Sequence, residues 1–125
     1  MPWPELRELI ARAAVFVLPL HDPDRKLGTD GSGLTATLEA MASAKAIVAT
    51  TRPALQTYLH HEVDALLVPP GDSDALAAAV TTLLADPRRR AMLGAAARAA
   101  VESRFNTRAL AGRIAAVLEA RTQTR

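Results

Sequence analysis

The sequence predicts an α/β fold: a parallel sheet of about three strands, flanking helices and a C-terminal helical segment. Three observations predict it. Short apolar runs at 15–18, 46–50 and 65–68 lack the polar alternation of a half-solvated strand, as expected where both faces are covered. Helical patterns separate these runs, which favours parallel pairing through crossovers. Beyond residue 72 the pattern is helical throughout, dividing the single domain into an α/β part (about 1–72) and C-terminal helices (about 73–121).

Each element has a local cause. Pro4 can open a helix over about 4–13, because a missing N–H costs nothing in the first turn. Leu6, Leu9, Ile10 and Ala13 fall on one side of it. The first strand stops at Pro19, and the polar stretch 21–30, with Pro23 and Gly28, reads as a loop from its carboxyl end. A Gly-Ser-Gly loop then enters a helix to about Ala44. After the second strand Pro53 opens a short helix to about Leu59. Asp72 or Ser73 caps a helix striped by Leu76, Val80, Leu83 and Leu84. Asp86-Pro87 starts the next, with Met92, Leu93, Ala96, Ala97, Ala100 and Val101 as its apolar side. Asn106 caps a last helix whose Leu110, Ile114, Val117 and Leu118 are expected to face inward.

Composition excludes several function classes. The chain has 125 residues, half of them hydrophobic and only 3% aromatic, so the core is built from Ala, Val, Leu and Ile. With no cysteine there is no disulfide framework and no thiolate chemistry. His21, His60 and His61 are too few and too scattered for a zinc site, so no metal is expected. No apolar run approaches the roughly 18 residues of a membrane span. The start Met-Pro-Trp-Pro-Glu lacks the basic region of a signal peptide, so a cytoplasmic protein is expected.

Charge is unevenly placed. Residues 1–87 carry a net −5 and residues 88–125 a net +7. The basic C-terminal helices could touch an anionic membrane peripherally. No aromatic side chains interleave with the arginines to stack bases, so no nucleic-acid partner is expected.

The stretch from Thr29 to Ala42 carries the candidate site. Unpaired amides at a helix start bear partial positive charge and attract anions. Glu39 lies about 7 Å further along the axis at 1.5 Å per residue. That spacing suits a phosphate at the helix mouth and a sugar hydroxyl on the carboxylate. In open parallel sheets ligands sit outside the carboxyl ends of the strands, where this loop begins.

In order along the chain, 15–19, Gly33-Leu34 leading to Leu38-Glu39-Ala40-Met41-Ala42, 47–50, Asp64 to Asp72, Leu83 to Pro87, Leu93-Gly94, Ala97-Arg98 and Arg104-Phe105 resemble the C-terminal half of a family 4-type glycosyltransferase of GT-B fold. The resemblance implies a partial Rossmann-like domain that grips a nucleotide-diphosphate sugar for retaining transfer to an acceptor. It implies that Glu39, matching the second glutamate of a paired-glutamate motif, holds the ribose hydroxyls. Backbone amides around Gly33, Leu34 and Thr35, with Gly31 and Ser32 in the same loop, would meet the diphosphate. The first glutamate of the motif falls on Gly31. Asp30, one residue earlier and one methylene shorter, is the candidate to contact the donor sugar.

Other departures fall at Ala44 and Ala46, where the family usually has Gly and Pro, and at Thr57, often a glutamate. Lys45, Arg25 and Lys26 are the bases nearest the site in sequence. No cofactor beyond the donor substrate is implied.

A three-stranded sheet leaves an edge open. The expected partner there is a missing N-terminal half or a second copy of the chain. Catalysis holds donor and acceptor together, so stand-alone activity is not expected. The alternative function is a non-catalytic remnant acting as a protein-interaction module.

Overall fold

The computed structural model describes residues 2–21 and 33–123. Helix α1 (Trp3–Arg12) leads into strand β1 (Val15–Leu18); α2 (Leu34–Ala42) leads into β2 (Ala46–Thr50). A single 3-10 turn (Pro53–Leu55) precedes β3 (Leu66–Val68), and α3 (Ser73–Ala85), α4 (Pro87–Ser103) and α5 (Thr107–Gln123) follow. The strands form one parallel sheet in the order β1-β2-β3, with Val15 opposite Ala46 and Val48 opposite Leu66. The fold class read from the sequence holds, and so does the order of elements apart from the helix expected after Pro53.

The sheet positions everything else. Every residue of β2 is buried. Its alternation puts Ile47 and Ala49 on one face, against Ala40 and Met41 of α2 and Ala97 and Ala100 of α4. Ala46 and Val48 face the other way, toward Leu83 of α3 and Leu93 of α4. Small residues on α4 let it come close. An added Cβ on Gly94 would lie 2.1 Å from the carbonyl oxygen of Ala44.

Side-chain caps fix the helices. Asp72 accepts from the Ala75 amide at 2.9 Å, Asp86 from Arg89 at 2.9 Å, and Asn106 from Ala109 at 2.9 Å. Each such cap contributes about 1 kcal/mol. Cations close the opposite ends. Lys45 Nζ donates to the carbonyls of Ala11 (2.6 Å) and Ala13 (3.2 Å) at the end of α1. Arg90 donates to Leu83 (2.6 Å) and Leu84 (2.9 Å) at the end of α3. Arg98 donates to the Ala42 carbonyl at the end of α2, and its Nε reaches Glu102 at 2.7 Å. These basic residues therefore hold the scaffold together.

Several sequence expectations are corrected. β1 is only partly buried, and Val17 is exposed, because β1 pairs with β2 alone among the described residues. The segment after Pro53 makes one 3-10 turn and then irregular turns, not a helix to Leu59, although Leu55 and Leu59 are both buried. Leu9, Leu84 and Met92 are exposed, so the apolar stripes of α1, α3 and α4 are narrower than expected.

The largest departure is α5. Leu110, Ile114, Val117 and Leu118 are 50–61% exposed and do not face inward. The chain turns away after the Asn106 cap, and among the described residues no element covers that stripe.

α2 ends earlier than expected, because Ala44 adopts φ 54°, the left-handed region. A Cβ there is unfavourable, and glycine carries no such penalty. Ala44→Gly is expected to raise stability by about 0.5–1 kcal/mol, read as a higher urea midpoint with an unchanged slope.

Candidate functional site

Among the described residues α2 is the one α-helix preceded directly by a left-handed glycine. Gly33 has φ 84°, and among the described residues no side chain caps the amides that follow. Carboxylates or an amide close the starts of α3, α4 and α5, whereas α1 and α2 open without one among the described residues. Its first intrahelical bond is Thr37 N–H to the Gly33 carbonyl at 2.9 Å, doubled by the Thr37 hydroxyl at 2.8 Å. The amides before Thr37 have no partner within the helix. They sit at the carboxyl end of the sheet, on the side where β1 delivers Pro19, Leu20 and His21.

Of the residues singled out in the sequence, Gly33 and Leu34 are half-buried, and Leu34 packs on the core. Thr35 is exposed and Glu39 half-buried. Glu39 follows Thr35 by four residues and shares its side of α2, while Thr37, Ala40 and Met41 are buried. Among the described residues the Glu39 carboxylate makes no hydrogen bond or ion pair. The structure thus brings Gly33, Leu34 and Thr35 to the start of α2 at the sheet's carboxyl end, with Glu39 further along the same helix. Asp30, Gly31, Ser32, Arg25 and Lys26 lie outside the described residues. Lys45 is ruled out as a base for this site. It lies at the opposite end of β2 and its ammonium is held by the end of α1.

Sequence reading missed two features of the strands' carboxyl ends and one buried cation beyond them. One is a crevice of about 520 Å³ across the strands' carboxyl ends, lined by Leu20, His21, Thr50, Gly71, Asp72 and Leu76. His21 is exposed there and lines the crevice without an assigned role. The other is Thr50, the last residue of β2, whose hydroxyl accepts from the Leu20 amide at 2.7 Å and donates to the Leu20 carbonyl at 3.0 Å. The signal was a hydroxyl ending an otherwise apolar strand. Arg52, two residues on, is 4% exposed and so is a buried cation that sequence reading also passed over.

Comparison with known proteins bears on this geometry. The sequence model of a family described as glycosyl transferases group 1 matches residues 2–86. An amylovoran biosynthesis glycosyltransferase of Erwinia amylovora is 32% identical over 94% of this chain and 28% of its own length. A GDP-mannose-dependent alpha-(1-6)-phosphatidylinositol monomannoside mannosyltransferase of Mycolicibacterium smegmatis is 34% identical over the whole chain and 32% of its own length. The chain therefore spans less than a third of these relatives. Among solved structures, sucrose-phosphate synthase from Thermosynechococcus elongatus superposes with a TM-score of 0.73 and 30% identity, over 94% of this chain and 27% of that one. Anabaena HepE in complex with UDP-glucose gives 0.73 and 25% identity, over 90% and 29%.

Proposed function

Because the chain belongs to the group 1 glycosyltransferases, we propose that it is the donor-gripping part of such an enzyme, binding a nucleoside diphosphate sugar for retaining transfer to an acceptor. The amides that open α2 after the left-handed Gly33, without a side-chain cap among the described residues, carry this reading. They supply hydrogen-bond donors aimed at the diphosphate, where negative charge builds as the sugar departs. No metal is required in this scheme. Glu39 accepts from the two vicinal ribose hydroxyls, and Asp30 is the proposed contact to the donor sugar. The UDP-glucose bound by the HepE relative supports a ligand of this class.

UDP or GDP at ten times its dissociation constant is expected to stabilise the chain by about 1.4 kcal/mol, a rise of about 5 °C in melting temperature. A melting temperature unmoved by both nucleotides contradicts the proposal.

The second reading, an interaction module without catalysis, draws on the exposed α5 stripe. A chain that ignores both nucleotides but self-associates through α5, with Ile114→Glu abolishing the association, would favour it.

A further inference from the structure

We propose that Thr50 is a positioning residue for the donor site: its hydroxyl clamps Leu20, and the Leu20 side chain sets the start of α2. This inference rests on the donor reading above and adds a residue to it. Thr50 ends the central strand and is 5% exposed. Its hydroxyl takes both the amide and the carbonyl of Leu20, at 2.7 and 3.0 Å, thirty positions away in the chain. The only other backbone tie on the Leu20 amide among the described residues is to Leu18 at 3.2 Å.

The Leu20 side chain then meets the helix start. A Cβ on Gly33 would lie 3.1 Å from Leu20 Cδ2 and 3.4 Å from Leu18 Cδ1. The position of Gly33, and of the amides after it, is therefore set by two leucines. One belongs to a strand and the other is fixed by the Thr50 hydroxyl. A methyl in place of that hydroxyl keeps the shape of Thr50 but leaves the Leu20 amide and carbonyl without this partner. Anion recognition by fixed amides depends steeply on where they point. Thr50 thereby acts on the diphosphate through Leu20 and Gly33.

The test compares Thr50→Val with Thr50→Ser in the full chain, reading amide resonances, amide exchange and UDP affinity. In Thr50→Val the Leu20 amide is expected to exchange at least tenfold faster. The resonances of Gly33, Leu34 and Thr35 move, and the UDP dissociation constant rises about fivefold or more. Thr50→Ser restores all three.

Unmoved Gly33–Thr35 resonances in Thr50→Val, or a serine variant that fails to restore them, overturn the clamp. Moved resonances with unchanged UDP affinity overturn its role in donor binding. Should Thr50→Val not fold, Leu20→Ala leaves β2 intact and must displace the same three resonances; if they stay, the clamp is wrong. A wild-type chain that binds neither UDP nor GDP defeats the donor reading instead, and the resonances still decide the clamp.

Discussion

Gly94→Ala is expected to destabilise the chain by about 3 kcal/mol, lowering its melting temperature by about 10 °C. The new Cβ would lie 2.1 Å from the Ala44 carbonyl oxygen, 2.8 Å from its carbon and 3.4 Å from the Lys45 carbonyl carbon. All three are backbone atoms, so no side-chain rotation relieves the clash. They belong to the tight corner between α2 and β2, where Ala44 is already left-handed and its amide donates to Met41 at 3.0 Å. α4 must move outward, loosening the packing of Ala97 and Ala100 on Ile47, Ala49 and Met41. Helix propensity alone favours alanine over glycine by about 1 kcal/mol. A loss on substitution therefore reports the close approach of α4, and a gain in stability would contradict it. Thermal or urea unfolding reads the sign.

Glu39→Ala is expected to weaken UDP binding by at least about tenfold to a hundredfold, since even one hydrogen bond to a charged acceptor is worth about 1.5–3 kcal/mol. Stability should change little, because the Glu39 carboxylate has no hydrogen bond or ion pair among the described residues and the side chain is only half-buried. The loss has a chemical signature. If the carboxylate grips the ribose, the substitution weakens UDP far more than its 2′,3′-dideoxy analogue, which lacks both hydroxyls. Calorimetric titration of both ligands into both proteins gives the four affinities. Equal losses for the two ligands would remove Glu39 from the ribose.

Much of this was legible in the sequence because local chemistry and tertiary context agree. The 15–18 and 46–50 runs, the Asp72 and Asp86 caps and Asn106 each carry their own signal, and each forms the expected element. The α5 stripe was misread for a physical reason. A 3.6-residue period marks a face that wants cover, but does not say that the same chain supplies it. Pro53 was misread likewise: proline opens an α-helix and a 3-10 turn equally well, and only packing around Leu55 and Leu59 decides.

The site divides in the same way. Glycine before an apolar helix announced the α2 start. The Thr50 clamp joins residues thirty apart, and nothing local encodes such a contact. Lys45 looked available because it follows α2 closely in sequence. Its reach to the end of α1 depends on how the two helices meet the sheet.

The central claim is that the amides opening α2 cradle a nucleotide's diphosphate. Titrating UDP into isotope-labelled chain while following backbone amide resonances tests it most directly. Saturable shifts at Gly33, Leu34 and Thr35, sharing one dissociation constant, are the predicted result. Binding that leaves those three resonances in place and shifts the capped start of α3 at Ser73–Ala75 instead would contradict it.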